Sequence, residues 1–201
     1  MKCRVSGEVR TWEKVKLAIE SAPGCNSRTG CSSTLVGNDM YIFGGQEPHS
    51  GTLFNDILKI DLKTLTLSRV DVNGGSPPPR HSHISVLLND KCLVSAYTFA
   101  STSQPFRFTA SLTHENSLSL SLSLSHTHTH TRTFGLLLKL VFGGAGEQAP
   151  LNDTWIFDTE TRCWTYPTVT GSIPRLREMH SGSIVGGKRL VVFGGRDREG
   201  R

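Results

Sequence analysis

The sequence predicts an all-β protein made of tandem units of about fifty residues, opened by one stretch of foreign composition. Three observations carry that expectation. An apolar run ending in Phe-Gly-Gly occurs three times: Met40-Tyr41-Ile42-Phe43-Gly44-Gly45, Leu140-Val141-Phe142-Gly143-Gly144 and Leu190-Val191-Val192-Phe193-Gly194-Gly195. Residues 117–131 are a strict two-letter alternation, Ser-Leu followed by His-Thr. Removing 94–139 equalises the spacing of the glycine pairs: Gly44 to Gly143 falls from 99 residues to 53, against 51 from Gly143 to Gly194.

Taken in order, the chain opens with Trp12, which stands 32 residues before the first glycine pair as Trp164 stands 30 before the third. Trp12 therefore reads as part of the last strand of a unit whose earlier strands are missing. Each unit starts with an arginine and, three residues later, His or Cys: Arg28 with Cys31, Arg80 with His83, Arg177 with His180. The strand ending in the glycine pair follows, almost wholly apolar because a strand packed on both faces has no wet side. The glycines allow positive φ and close backbone approach where the sheet turns near an axis. Asn55-Asp56 and Asn152-Asp153 then open apolar strands over 57–61 and 154–158. Asn-Asp at a strand entrance suits an Asx-type turn, with side-chain oxygens taking backbone N–H groups. Leu67 and Trp164, six residues beyond Asp61 and Asp158, mark a fourth strand and fill space between units. Four antiparallel strands recurring near every fifty residues form the pattern of a propeller blade. The arginines and histidines recur at equal phase and so read as architectural.

A strand ending in Gly-Gly, then Asn-Asp, a strand ending in Asp, and a Trp resembles the kelch repeat, over nearly the whole chain apart from 94–139. Leu67 in place of the usual aromatic and Cys31 where His is common depart from that pattern. The resemblance implies an incomplete kelch β-propeller, about two full four-stranded blades plus partial blades. Without 94–139 the chain holds 155 residues, about three repeats, whereas closed propellers have four to eight blades. An open arc leaves apolar faces and unpaired edges in water, so self-association through exposed blade edges is expected.

The interruption is a low-complexity segment expected to be disordered. TC and AC dinucleotide repeats encode Ser-Leu and His-Thr in frame; Val94-Ser95 is what a GTA-AGT splice donor would encode, and Lys139 can be AAG, ending in an acceptor AG. Joining Lys91-Cys92-Leu93 to Leu140 matches Lys188-Arg189-Leu190-Val191 in length. The segment reads as a retained intron; the alternative is a His-x-His metal tract on one strand face. The chain thus divides into 1–93 (the end of one blade, a full blade and the start of the next), 94–139 (the insertion), and 140–201 (the rest of the interrupted blade and the start of another).

Composition narrows the function. The formal charge is +5, of which +2 lies in 94–139, too little for a specific nucleic-acid surface. Five cysteines without Cys-x-x-Cys spacing point to reduced thiols rather than a disulfide framework or zinc ribbon. The most apolar run, Phe134 to Phe142, is nine residues and contains Lys139, too short to cross a bilayer; nor does the start have the apolar stretch of a signal peptide. A cytoplasmic or nuclear location is expected. No nucleophile elbow, phosphate loop or zinc motif occurs, so no catalytic residue, metal or cofactor is implied.

Non-repeating loop residues are the better functional candidates, because a rigid scaffold holds them. By analogy with kelch propellers, the loops 46–54 and 145–151 join 74–81 and 171–179 in one rim that binds partner proteins. The polar candidates there are Gln46, Glu47, His49, Arg80, His81, Glu147, Gln148, Arg175 and Arg196. The leading expectation is a non-catalytic interaction module, a substrate-recognition or scaffold part of a larger protein. The alternative is a metal-dependent enzyme on a kelch-like propeller, drawing on His49, His81, Tyr41 and Glu147.

Overall fold

The computed structural model describes residues 2–6, 9–21, 27–89, 107–114, 117–123, 137–185 and 189–199. Among them every regular element is a strand. The first seven are β1 (Lys2–Ser6), β2 (Val9–Glu13), β3 (Ala18–Ser21), β4 (Ser32–Val36), β5 (Asp39–Phe43), β6 (Ile57–Asp61) and β7 (Thr66–Val70). Next come β8 (Ile84–Asn89), β9 (Arg107–His114), β10 (Ser117–Ser123), β11 (Leu137–Ala145) and β12 (Pro150–Asp158). The last four are β13 (Cys163–Thr165), β14 (Thr168–Gly171), β15 (Glu178–Val185) and β16 (Arg189–Arg196).

Strands β1 and β2, the latter carrying position 12, form a two-stranded antiparallel sheet. Three larger sheets follow, ordered β3-β7-β6-β5-β4, β13-β12-β11-β8 and β14-β9-β10-β16-β15. In each, the strand ending in Gly-Gly pairs antiparallel with the one that begins with Arg-x-x-(His or Cys) or just after it. These first strands, β4, β8 and β15, touch one another in succession, as the innermost strands of neighbouring blades do.

Between the sheets lie two apolar layers. Tyr41, Phe43 and Ile57 of the first sheet pack on Val141, Phe157 and Trp164 of the second. Leu138, Leu140, Phe142 and Ile156 of the second pack on Leu190 and Val192 of the third. Strand β11 therefore sends alternate side chains into both layers, which is why the sequence there has no polar alternation. Trp164 fills the first layer, its ring 4.9 Å from that of Phe43 and 5.0 Å from that of Phe157.

Three stretches of the 94–139 segment are among the described residues. Arg107–His114 and Ser117–Ser123 are strands of the third sheet, because a period of two suits a sheet whatever its origin. Its last residues, 137–139, begin β11 and pair with β8, Leu138 opposite Leu88 and Lys139 opposite Leu87. They stand where the spliced reading places Lys91-Cys92-Leu93. The junction at Val94, and the rest of the segment, lie outside the described residues.

Candidate functional site

The polar residues that recur between units meet at the ends of the sheets. Arg80 is fully buried. Its guanidinium donates to both carboxylate oxygens of Asp153, at 2.6 and 2.7 Å, and to the Gly143 carbonyl at 3.0 Å. Arg28 repeats this with Asp56 (2.5 and 2.9 Å) and the Gly44 carbonyl (3.2 Å). Arg177 donates to the Gly194 carbonyl at 2.8 Å. Arg28 and Arg80 thus each tie their own unit's glycine turn to that unit's third strand with a bidentate pair.

The histidine reaches back to the preceding unit. His180 donates Nε2–H to the Phe142 carbonyl at 3.2 Å, and His83 Nε2 is hydrogen-bonded to Ser32 Oγ at 2.7 Å. Each ring stands edge-on to the phenylalanine before the previous glycine pair, His83 on Phe43 at 5.1 Å and His180 on Phe142 at 5.4 Å. Burial holds His180 down at a pKa of about 4 and takes His83 well below the usual imidazole value. Both are neutral packing groups, as their equal phase implied.

A backbone relay joins the units. The Ser82 N–H donates to the Gly30 carbonyl at 2.7 Å, and the Met179 N–H to the Ser82 carbonyl at 2.9 Å. All three residues stand third in the Arg-x-x-(His or Cys) motif, and all are left-handed, with φ of 64°, 54° and 56°. Sequence reasoning missed this shared conformation, because only Gly30 of the three announces it.

The Asn-Asp pairs correct a sequence expectation. Asn55 and Asn152 donate side-chain N–H groups to the Pro77 and Pro174 carbonyls, while their aspartates take the arginines. The Asx-type turns lie at the opposite end of the sheets. There Asp61 accepts from the Lys63 and Thr64 N–H groups, and Asp158 from those of Glu160 and Thr161.

The candidate loops are hydrogen-bonded in pairs. The Arg80 N–H donates to the Phe54 carbonyl and the Arg177 N–H to that of Leu151, so each linker is stitched to the preceding unit's loop. His49, Glu147, Gln148, Arg175 and Arg196 are exposed. Arg196 reaches Glu178 at 2.9 Å, and Arg198 donates to the Gln148 carbonyl. Glu47 caps its own loop, accepting from the His49 and Ser50 N–H groups; the Ser50 contact foremost lowers its pKa. Gln46 donates to the Gly51 carbonyl, and half-buried His81 shares a hydrogen bond with Ser82. Arg80 is the correction: with no exposed surface it belongs to the junction, not to the accessible edge.

The metal-ligand candidates stay apart. Tyr41 is buried beside Phe157, which raises its hydroxyl pKa mainly by desolvation. Among the described residues no group of three or more His, Cys, Asp or Glu converges, nor is any helix long and apolar enough to cross a membrane.

Repeated sheets packed face to face, with the Arg–Asp pair recurring in the first two and the histidines clasping each preceding sheet, define a kelch-type β-propeller. The family model of the attractin/LZTR1 β-propeller matches residues 1–200, and the chain belongs to that family. It is 26% identical over 174 residues to acyl-CoA-binding domain-containing protein 4 of Arabidopsis thaliana, covering 87% of this chain and 19% of that protein. With host cell factor of Drosophila melanogaster it shares 28% identity over 199 residues, 92% of this chain and 10% of that one. The chain therefore spans a fifth or less of these relatives. The solved structure of YjhT aligns over 99% of this chain and 84% of its own, with a TM-score of 0.35 and 12% identity.

Proposed function

We propose that the chain is a non-catalytic protein-interaction module whose partner docks on the edge formed by loops 46–54, 74–81, 145–151 and 171–179. One observation supports this most. The polar side chains that recur between units are consumed internally, whereas the non-recurring His49, Glu147, Gln148 and Arg175 are exposed on loops that the junction holds, and Arg196 is exposed at the end of β16. Loops of that kind are where scaffolds carry recognition. The partner is a protein of the cytoplasm or nucleus, and the module is a recognition or scaffold part of a larger protein.

The test is a photo-crosslinking amino acid at position 148, compared in cells with one at Lys63 in the turn at the opposite end. A discrete protein adduct is expected at position 148 and not at 63, and it should vanish when Glu147, Arg175 and Arg196 are changed together to Ala. Equal adducts at both ends would count against the proposal.

A further inference from the structure

The third sheet repeats the first strand for strand, although two of its strands come from elsewhere in the chain. The order β14-β9-β10-β16-β15 matches β3-β7-β6-β5-β4, including an outermost strand that runs parallel to its neighbour. The register agrees as well. Ser117 pairs with Phe193 as Ile57 pairs with Phe43 and Thr154 with Phe142; Ser121 pairs with Arg189 as Asp61 pairs with Asp39. Strands β10 and β9 therefore stand where the third and fourth strands of a blade stand.

The alternation also fits the place. Directly paired residues of antiparallel strands share a face. Positions 118 and 120 are the partners of Val192 and Leu190, which belong to the buried layer with Leu138, Leu140 and Phe142. Positions 117 and 119 are the partners of Phe193, which is 62% exposed, and of Val191. The Ser-Leu alternation thus sets leucines at the register positions opposite the buried residues of β16 and serines at those opposite its other two. Strands β6 and β12, which lie between or beside fuller layers, show no such pattern: Ile57 and Leu58 are both buried, as are Ile156 and Phe157.

We propose that the β16 edge is an acceptor site for an antiparallel strand pair, and that the chain's own β10, backed by β9, occupies it as an end-cap, shielding that edge from a second copy. An uncapped β16 would offer a row of free N–H and C=O groups, the template by which sheets join edge to edge.

Hydrogen exchange and light scattering on the full chain test this, beside Ser119→Pro and the double variant Leu118→Ser with Leu120→Ser. The full chain should protect the amides of 189–193 and run as a monomer. In either variant roughly alternate amides of β16, those not held by β15, should exchange at least about tenfold faster, with β5 and β11 unchanged and the mass moving to a dimer. Should the proline variant also unprotect β5 and β11, the double serine variant decides alone. Fast exchange of the β16 edge in the full chain, or a monomer after its protection is lost, would overturn the proposal.

Discussion

A methyl group added to the glycine pairs would meet different surroundings in each unit. At Gly144 (φ 102°) it would lie 2.6 Å from the His81 carbonyl oxygen, and at Gly44 (φ 61°) 2.6 Å from that of Arg80. At Gly194 (φ 69°) it meets nothing within 4 Å. Gly194→Ala should therefore cost only the left-handed strain, about 1–2 kcal/mol. Gly144→Ala should cost clearly more, because backbone must move; urea midpoints of the two variants check the order. Lys139 is the other telling residue. It is fully buried, donates to the Tyr41 carbonyl at 3.2 Å, and lies 5.8 Å from the centre of the Phe43 ring. Desolvation lowers its pKa to about 7. The unfolded chain keeps that proton up to about 10.5, so stability rises as pH climbs from 7 and is lost as pH falls. Between pH 7 and 9 the full chain should gain about 2 kcal/mol from this group, and Lys139→Leu should abolish the gain, measured by urea unfolding at both pH values.

His83, just before β8, and His180, in β15, clasp the preceding sheet, and their acid response follows from burial. Both rings have folded pKa values below the usual imidazole value of 6.5, His180 at about 4. Their contribution is complete above about pH 6.5 and is lost as pH falls toward 4, where the unfolded state binds protons that the folded state refuses. His180→Gln should flatten that loss by up to about 1.4 kcal/mol per pH unit, seen as a shallower fall of the melting temperature. Elements of this kind were legible in the sequence because Gly-Gly, Arg-x-x-His and the apolar third strand recur at one spacing. The Arg–Asp pairing was not, since Asn-Asp beside a turn equally suits local capping; only the sheet junction brings Arg80 to Asp153 across 73 residues. Nor could spacing show that Ser82 and Met179 take the left-handed turn that Gly30 takes. The exposed edge was legible only as a set of loops, because burial, which removes Arg80 from it, depends on the neighbouring sheet.

At the scale of the whole molecule, the 94–139 segment acts on two sheets in opposite directions. In the second sheet it supplies Lys139 at the strand position that Met40 and Leu190 hold in the others, and that Leu93 would hold if the segment were absent. A buried lysine there is costly, because its ammonium must lose either its hydration or its proton. In the third sheet the same segment supplies β9 and β10, without which β16 has a bare edge. Two variants separate these effects. Lys139→Leu should raise the melting temperature and leave the chain's oligomeric state unchanged. Deleting 94–139 should raise hydrogen-exchange protection across β11, because Leu93 replaces Lys139, yet expose the β16 edge and favour a dimer. Protection across β11 that falls on deletion would mean that Leu93 does not take the vacated position, and the reading of 94–139 as a segment foreign to the repeat would fail with it.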